Sequence, residues 1–434
     1  MTPFDIGLLA LAGICVLIAL GLYVPFALML CSFLGVWAIR DNPELAVRML
    51  SLAANDAIAN YFFGVIPLFV FMGFVVSETG LGRDAFDVAN LMFRRLKGGL
   101  AIGTVGANTI FAATTGVSIA SAAVFTKVAV PEMVRRGYSK RFAVGVVAGS
   151  SVLGMLIPPS LLLILYGLLT QQSIGDMFIA GIGPGLVLAL AFCIGIVVMA
   201  WLTPGFVGAP ENVAFEAMSP REFLTKGLPI TLLIVMVLGG IYGGFFTPVE
   251  AGAAGSIGAV IIALVRRTLS WQSFRRILID TGIVTSTVCF LLIAAQMYSR
   301  MLAFSGVPGG VASAAAGADL TLPLLIAIYL AIIVALGMIL DSTSIMLIIV
   351  PIMVPVFAPM DVNLVWLGIL TVIAVEIGLL TPPFGISVYV IKGALDDQKI
   401  KLGDIFLGAA PFALIMLVVL VLVAMFPQIA LFAL

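Results

Sequence analysis

The sequence predicts an all-α, polytopic membrane protein made of two inverted-topology repeats, each with five spans and one re-entrant hairpin. Three observations carry that expectation. Of 434 residues, 62% are hydrophobic and only 10% are charged, where a soluble domain has roughly 25% charged residues. Pro158-Pro159 in the first half recurs as Pro382-Pro383 in the second, a shift of 224 residues. Once the spans are counted, the lysines and arginines gather on one side of the membrane.

Composition fixes the solvent. Mean hydropathy is +1.26, and apolar runs of roughly 18 residues or more, enough to cross a hydrocarbon core of about 30 Å, recur along the chain. A β-barrel would alternate in short segments instead. The start, "MTPFDIGLLALAGICVLIALGL", lacks the basic region of a signal peptide and reads as the first span. Cys15, Cys31, Cys193 and Cys289 lie in apolar segments without metal-ligand spacing and read as small buried hydrophobes. The chain has no histidine, which excludes a His-ligated metal and a His proton relay. It has no GxxxxGK[ST] loop for nucleotide phosphates either.

The repeat orders the elements. At the same shift Pro131 meets Pro355 and Ser118 meets Ser342, and with small adjustments Pro25 meets Pro248, Gly80 meets Gly306 and Pro184 meets Pro411. In the first half, 1–205, spans are expected near 4–22, 24–39 and 62–79, then a hairpin over 98–129, then spans near 142–170 and 178–203. A polar, proline-bearing linker, 206–227, leads to the second half, 228–434. There the spans fall near 228–244, 248–265 and 280–300, the hairpin over 320–358, and the last spans near 364–392 and 405–426. Before the third span of each half, "PELAVRMLSLAAND" and "LSWQSFRRILID" read as interfacial amphipathic segments.

The hairpins rest on composition. Thr114 to Ser121 and "LDSTSIML" (Leu340 to Leu347) are too small and polar for comfortable exposure to lipid, so each reads as a turn that protein or a water-filled cavity must surround. Two packed spans joined by a turn are the alternative. Five spans per half is an odd number, so the second half is inverted. That count puts 18 of the 21 basic residues in the cytoplasm and leaves Arg40, Arg48 and Arg300 outside. Arg94 and Arg95 are among the 18. Both termini are then expected outside.

The double prolines carry the chemistry. Proline removes a helical hydrogen bond and clashes with the preceding turn, so two in succession unwind a span. In lipid the freed carbonyls need partners. Broken helices of inverted halves, meeting at the midplane, form a recurring ion and substrate site in secondary transporters. Each break follows a glycine, Gly154 or Gly378, and each is matched by a hydroxyl-rich tip, with Ser118 and Ser121 in one half and Ser342, Thr343 and Ser344 in the other. Such oxygens suit sodium. Simple kinks in packed helices are the competing reading. Asp341 at the second tip is a candidate cation-site or gating residue, because intramembrane carboxylates are functional by default. Glu376 reads equally as support for the break or as an ion ligand. Glu250 reads as a helix-start residue, and Glu132 as solvated.

At these residues the sequence resembles the large, DctM-type membrane subunit of tripartite ATP-independent periplasmic (TRAP) transporters. The resemblance is carried by "GYSKRFAVGVVAGSSVLGMLIPPSLLLILYGLLTQQSIGDMFIAGIGPG" (Gly137 to Gly185), "FFTPVEAGAAGSIGAV" (Phe245 to Val260) and "EIGLLTPPFGISVYV" (Glu376 to Val390). It implies a bacterial inner-membrane, sodium-coupled importer of an organic acid that works by an elevator movement. It implies two partners, a small four-helix membrane subunit (DctQ-like), expected as a separate polypeptide, and a periplasmic solute-binding protein (DctP-like). Nucleic acid is not expected as a partner, lipid is, and no organic cofactor is expected. The family's first tip falls on Gly116 to Ala122, and its breaks on Ile157-Pro158-Pro159-Ser160 and Thr381-Pro382-Pro383. One sodium site is thus expected at Ser118, Ser121, Gly154, Ile157 and Pro158, and a second at Asp341, Thr343, Gly378, Thr381 and Pro382. Substrate is expected at Thr115, Gly116, Ser160, Ser342, Ser344 and Pro383. A stand-alone sodium/dicarboxylate symporter or an ion antiporter of related fold would share the breaks and hairpins. An intramembrane enzyme using Asp341 and Glu376 lacks the surrounding motifs.

Overall fold

The computed structural model describes residues 1–93, 96–208, 218–318, 320–395, 397 and 399–434. Arg94, Arg95 and part of the 206–227 linker lie outside the described residues. The first half runs through α1 (Pro3–Ala19), α2 (Val24–Arg40), α3 (Pro43–Ala59), α4 (Val65–Glu78) and α5 (Leu81–Phe93). The paired helices α6 (Gly99–Thr115) and α7 (Ser118–Arg135) follow. One interrupted span then comprises α8 (Lys140–Ser151), α9 (Leu153–Leu156) and α10 (Leu161–Thr170), before α11 (Ile174–Leu202) and the single turn α12 (Pro204–Val207). The second half opens with α13 (Pro220–Ile234), a π turn and α14 (Gly240–Tyr242), then α15 (Pro248–Val265), α16 (Trp271–Ser305) and α17 (Val307–Gly317). The pair α18 (Leu322–Gly337) and α19 (Ser342–Phe357) precedes a second interrupted span, α20 (Leu364–Leu380) and α21 (Ile386–Ala394). The chain ends with α22 (Leu402–Met425) and α23 (Gln428–Leu431).

Among the described residues, eight helical segments are long and apolar enough to cross a membrane, and the only bridge between extended residues joins Tyr138 to Gly208. This is an all-α, multi-pass membrane protein. Its outer helices turn apolar stripes outward. On α11 the exposed Leu186, Leu190, Ile194 and Val198 recur every four residues, one face of a helix. At the centre, every residue from Phe142 to Ser160 and from Val365 to Leu380 is buried.

Helix starts follow local chemistry. Side chains of Asn42, Ser139, Ser160, Ser173, Ser219, Asp341 and Asn363 each accept a backbone N–H at the head of their helix, filling one donor position that helix geometry leaves open. Glu250 behaves as the sequence suggests. The Thr247 N–H donates to Glu250 Oε2 at 2.8 Å and the Glu250 N–H to Thr247 Oγ1 at 3.3 Å, a capping box. Ser139 caps α8, accepting from the Phe142 N–H at 3.1 Å, while its hydroxyl donates to the Phe206 carbonyl at 2.5 Å. Ser139→Ala is therefore expected to lower stability by about 1 kcal/mol, measured as a drop in melting temperature of the detergent-solubilised protein.

Three expectations need correcting. The interfacial segment of the first half is, as expected, distinct from the span that follows: it forms α3, which ends where the Asn60 side chain accepts from the Phe62 N–H at 2.9 Å and starts a new turn. In the second half the segment and the span fuse into α16, 35 residues long. Val284 stands at the position matching Asn60 and offers no such acceptor. Of the cysteines, only Cys31 is buried; Cys15 is exposed, because α1 lies at the periphery. Glu132 is not left to solvent, since it pairs with Arg135 at 2.7 Å and Arg136 at 2.6 Å.

Ion pairs between elements respect the sidedness of the basic residues. Arg266 meets Asp84 at 2.5 Å, Lys226 meets Asp87 at 2.8 Å, Lys140 meets Asp397 at 2.5 Å and Arg141 meets Asp404 at 2.7 Å. All four cations belong to the larger basic group. Arg300, from the smaller group, pairs instead with Asp56, and Arg40 stacks over Phe304 at 4.5 Å. The Lys140 ammonium holds the exposed Asp397 carboxyl below the usual range, and the Arg141 guanidinium does the same for Asp404.

Candidate functional site

Each pair α6–α7 and α18–α19 is a helix-turn-helix whose arms run antiparallel. The Thr104 hydroxyl near the base of α6 lies 3.9 Å from Met133 Sδ near the end of α7, and the Tyr329 and Phe357 rings meet at 5.3 Å across the second pair. The first turn is only two residues long, because Gly116 adopts a left-handed φ of 67° that β-carbon sterics deny most residues.

That turn sits directly on the first break. A Cβ on Gly116 would lie 2.4 Å from the Pro159 carbonyl oxygen, and one on Gly154 would lie 3.2 Å from the Ser118 nitrogen. The Leu161 N–H donates to the Gly116 carbonyl at 3.1 Å. Pro158 and Pro159 carry no N–H, so the Gly154 and Met155 carbonyls have no helical donor four residues on. The Ser160 hydroxyl takes up Met155 O, and its oxygen caps α10 by accepting from the Leu163 N–H at 3.3 Å. Ile157 leaves the helix with ψ of 126°. Ser118, Gly154, Ile157, Pro158, Gly116 and Ser160 thus come together as one buried cluster. Thr115 is turned away from the cluster: its hydroxyl donates to Phe111 O at 3.0 Å, and its carbonyl oxygen lies 2.8 Å from the Cβ position of Gly73 on α4.

Ser121 is engaged elsewhere. Its hydroxyl donates to Asn108 Oδ1 at 2.9 Å, Asn108 Nδ2 donates to Ser150 Oγ at 2.7 Å, and the Ser150 hydroxyl donates to Val146 O at 2.7 Å. This relay ties both hairpin arms to α8. Asn108 and Ser150 escaped the sequence reading; an asparagine inside an otherwise apolar small-residue helix was the available signal.

The second site is built differently. Asp341 caps α19, accepting from the Ser344 N–H at 3.1 Å and from the Ser344 hydroxyl. Gly378 packs on the first hairpin arm rather than on the tip, with its Cβ position 2.5 Å from Gly337 Cα. The Gly378 carbonyl accepts from the Thr381 N–H at 3.0 Å, and the Thr381 hydroxyl donates to Ile377 O at 2.7 Å. The Phe384 N–H donates to Met338 O at 3.1 Å, which fastens the tip to the break. Here Ser342 and Ser344 are buried, Asp341, Thr343 and Thr381 are half-buried, and Pro382, Pro383 and Phe384 are exposed. The first break is closed over; the second opens to a surface.

The two sites interlock. Helix α10, beyond the first break, packs on α19 of the second hairpin, and α21, beyond the second break, packs on α7 of the first. Glu376 on α20 is 1% exposed. Neither Ser118 Oγ nor either Glu376 oxygen closes a hydrogen bond. Among the described residues, no three acidic or cysteine side chains converge as a metal cluster would need.

The family model of the tripartite ATP-independent periplasmic transporter, DctM component, matches residues 11–429. The chain belongs to this family. A DctM family member acts in transport and is not an enzyme, and this chain is a TRAP-type secondary transporter. It is 31% identical over 390 residues to the C4-dicarboxylate TRAP transporter large permease protein DctM of Pseudomonas aeruginosa, covering 89% of each chain. It is 32% identical over 368 residues to the ectoine TRAP transporter large permease protein TeaC of Halomonas elongata, covering 85% of this chain and 84% of that one. Among solved structures it is similar in fold to Neisseria gonorrhoeae MtrF, with a TM-score of 0.63 at 11% identity over 87% of this chain and 83% of that one.

Proposed function

We propose that this DctM-family chain drives uptake of a small organic acid across the bacterial inner membrane, coupled to sodium. A periplasmic solute-binding protein delivers the acid, and a separate four-helix subunit joins the scaffold. Residues 1–205 and 228–434 act as inverted repeats, with both termini in the periplasm. The hairpins and interrupted spans move as one elevator body against α1–α4 and α13–α16. The observation that carries this reading is the crossed packing of two proline breaks, each faced by a helix-turn-helix tip. That arrangement supports a site shared between the halves. The sidedness of the ion pairs supports the inversion.

Sodium is assigned to Ser118, Ser121, Gly154, Ile157 and Pro158 at the first break. Asp341, Thr343, Gly378, Thr381 and Pro382 serve the second. Gly116, Ser160, Ser342, Ser344 and Pro383 face substrate. A sodium ion entering down the membrane potential supplies about 2.3 kcal/mol per 100 mV, so two ions concentrate an anion strongly. The test is uptake of labelled acids into vesicles holding both membrane subunits, with and without sodium and the binding protein. Asp341→Ala is expected to raise the sodium concentration for half-maximal uptake severalfold; an unaltered sodium curve removes Asp341 from the second site. Sodium-driven uptake without the binding protein would favour a stand-alone symporter.

A further inference from the structure

We propose that a groove between α5, α6 and α11 binds one anionic phospholipid, with the phosphate at Lys97 and an acyl chain along the groove. The groove has a volume of about 650 Å³ and is walled by apolar side chains, with Ala189 and Val197 on α11 and Leu96 just beyond α5. Thr109 on α6 also lines it but spends its hydroxyl within the helix, donating to Val105 O at 2.9 Å. The exposed Leu190, Ile194 and Val198 form the rim. From Ala189 to Trp201 α11 rises about 18 Å, close to half of a hydrocarbon core of about 30 Å. The slot thus has the depth of one leaflet.

Charge commits the groove to this occupant. Gly98, with a left-handed φ of 76°, seats the loop on α11, so that a Cβ there would lie 2.9 Å from Ile196 Cγ2. The neighbouring Lys97 ammonium lies 4.4 Å from the centre of the Trp201 ring, one turn beyond Val197. Lys97 is exposed and takes part in none of the ion pairs among the described residues. A tryptophan and a lysine at the end of an apolar slot match a headgroup at the membrane interface. The second half supplies the contrast. Its corresponding helices, α18 and α22, line a larger groove of about 810 Å³, but at the 224-residue shift Thr321 and Met425 stand where Lys97 and Trp201 do. One groove is thus built for a charged head above a tail, and the other for apolar contact alone. Helix α5 is tied to α15 and α13 through Asp84–Arg266 and Asp87–Lys226. The bound lipid therefore braces the first hairpin arm against helices of the second half.

The experiment is thermal unfolding of the purified full chain in detergent, titrated separately with phosphatidylglycerol, phosphatidylethanolamine and glycerol phosphate. A ligand that binds the folded state raises the melting temperature as its concentration passes its dissociation constant. Phosphatidylglycerol is expected to raise it at the lowest concentration, and glycerol phosphate, which has no tail, not at all. Lys97→Gln is expected to weaken the phosphatidylglycerol midpoint about fivefold, the effect of one lysine at an anionic headgroup, and to leave phosphatidylethanolamine unmoved. Ala189→Phe, which grows into the groove, is expected to weaken phosphatidylglycerol as well, whereas Ala331→Phe in the second groove is not. Because Lys97 is exposed, its variant folds whether or not Ala189→Phe does. A Lys97→Gln midpoint equal to wild type would overturn the proposal, as would a response to glycerol phosphate matching that to phosphatidylglycerol. A wild type that ignores phosphatidylglycerol would overturn it too, leaving the groove to a transmembrane helix of another subunit.

Discussion

Gly116→Val is expected to cut uptake to below a tenth of wild type while the protein still reaches the membrane. Two costs add at this position. A φ of 67° costs an ordinary L-residue about 1–2 kcal/mol, and a β-branched one more. The new Cβ would also lie 2.4 Å from the Pro159 carbonyl oxygen, a backbone atom that cannot rotate away. The tip must lift off the break, which breaks the Leu161 N–H bond to Gly116 O and opens the cluster around Ser118. Gly80 is the control. It has a φ of 76° with nothing within 4 Å of its Cβ position, so Gly80→Ala meets the strain without the clash and keeps most of the uptake. The measurement is initial uptake rate normalised to membrane-inserted protein. Equal rates for the two variants would mean that contact between tip and break is irrelevant.

Gly145→Leu should go further and remove the folded protein. Helices α8 and α22 touch backbone to backbone. A Cβ on Gly145 would lie 2.1 Å from Gly408 O, one on Gly408 would lie 2.1 Å from Arg141 O, and one on Gly149 would lie 2.5 Å from Phe412 Cβ. In a bilayer such close approach of small residues is a main source of helix association. Overpacking a tight core typically costs about 1–3 kcal/mol, and a leucine facing main chain stands at the upper end or beyond. The exposed pairs Lys140–Asp397 and Arg141–Asp404 cannot compensate, because such pairs contribute at most about 1 kcal/mol each. Fluorescence-detected size exclusion of the variant should show aggregate in place of the wild-type peak. A monodisperse variant with wild-type melting would disprove the seam's role.

Much of the architecture was legible because its signals are local. A proline lacks an N–H wherever it sits, so both breaks could be placed to the residue, and glycine–hydroxyl runs marked both tips. Most span edges moved by about four residues or fewer, for α15 not at all, while α13 begins at Pro220 and α16 at Trp271, well ahead of the expected starts. What escaped the sequence depends on which partner each side chain finds in the fold. Ser121 reads as a free hydroxyl until Asn108, which takes its proton, is seen opposite it. Asp341 reads as a bare intramembrane charge, yet the Ser344 amide and hydroxyl already occupy it. Helices α10 and α19 belong to different halves, and no periodicity reports their meeting. The fused α16 was missed for a simpler reason: one capping asparagine separates two helices in the first half, and its absence in the second leaves no mark that hydropathy detects.

Crossed packing also governs the order in which this polypeptide can mature. When translation has passed Val207 far enough for α7, α8 and α10 to leave the ribosome, α21, α22 and α19, which cover them, do not yet exist. The early segments must wait, half-dressed, until translation is nearly complete.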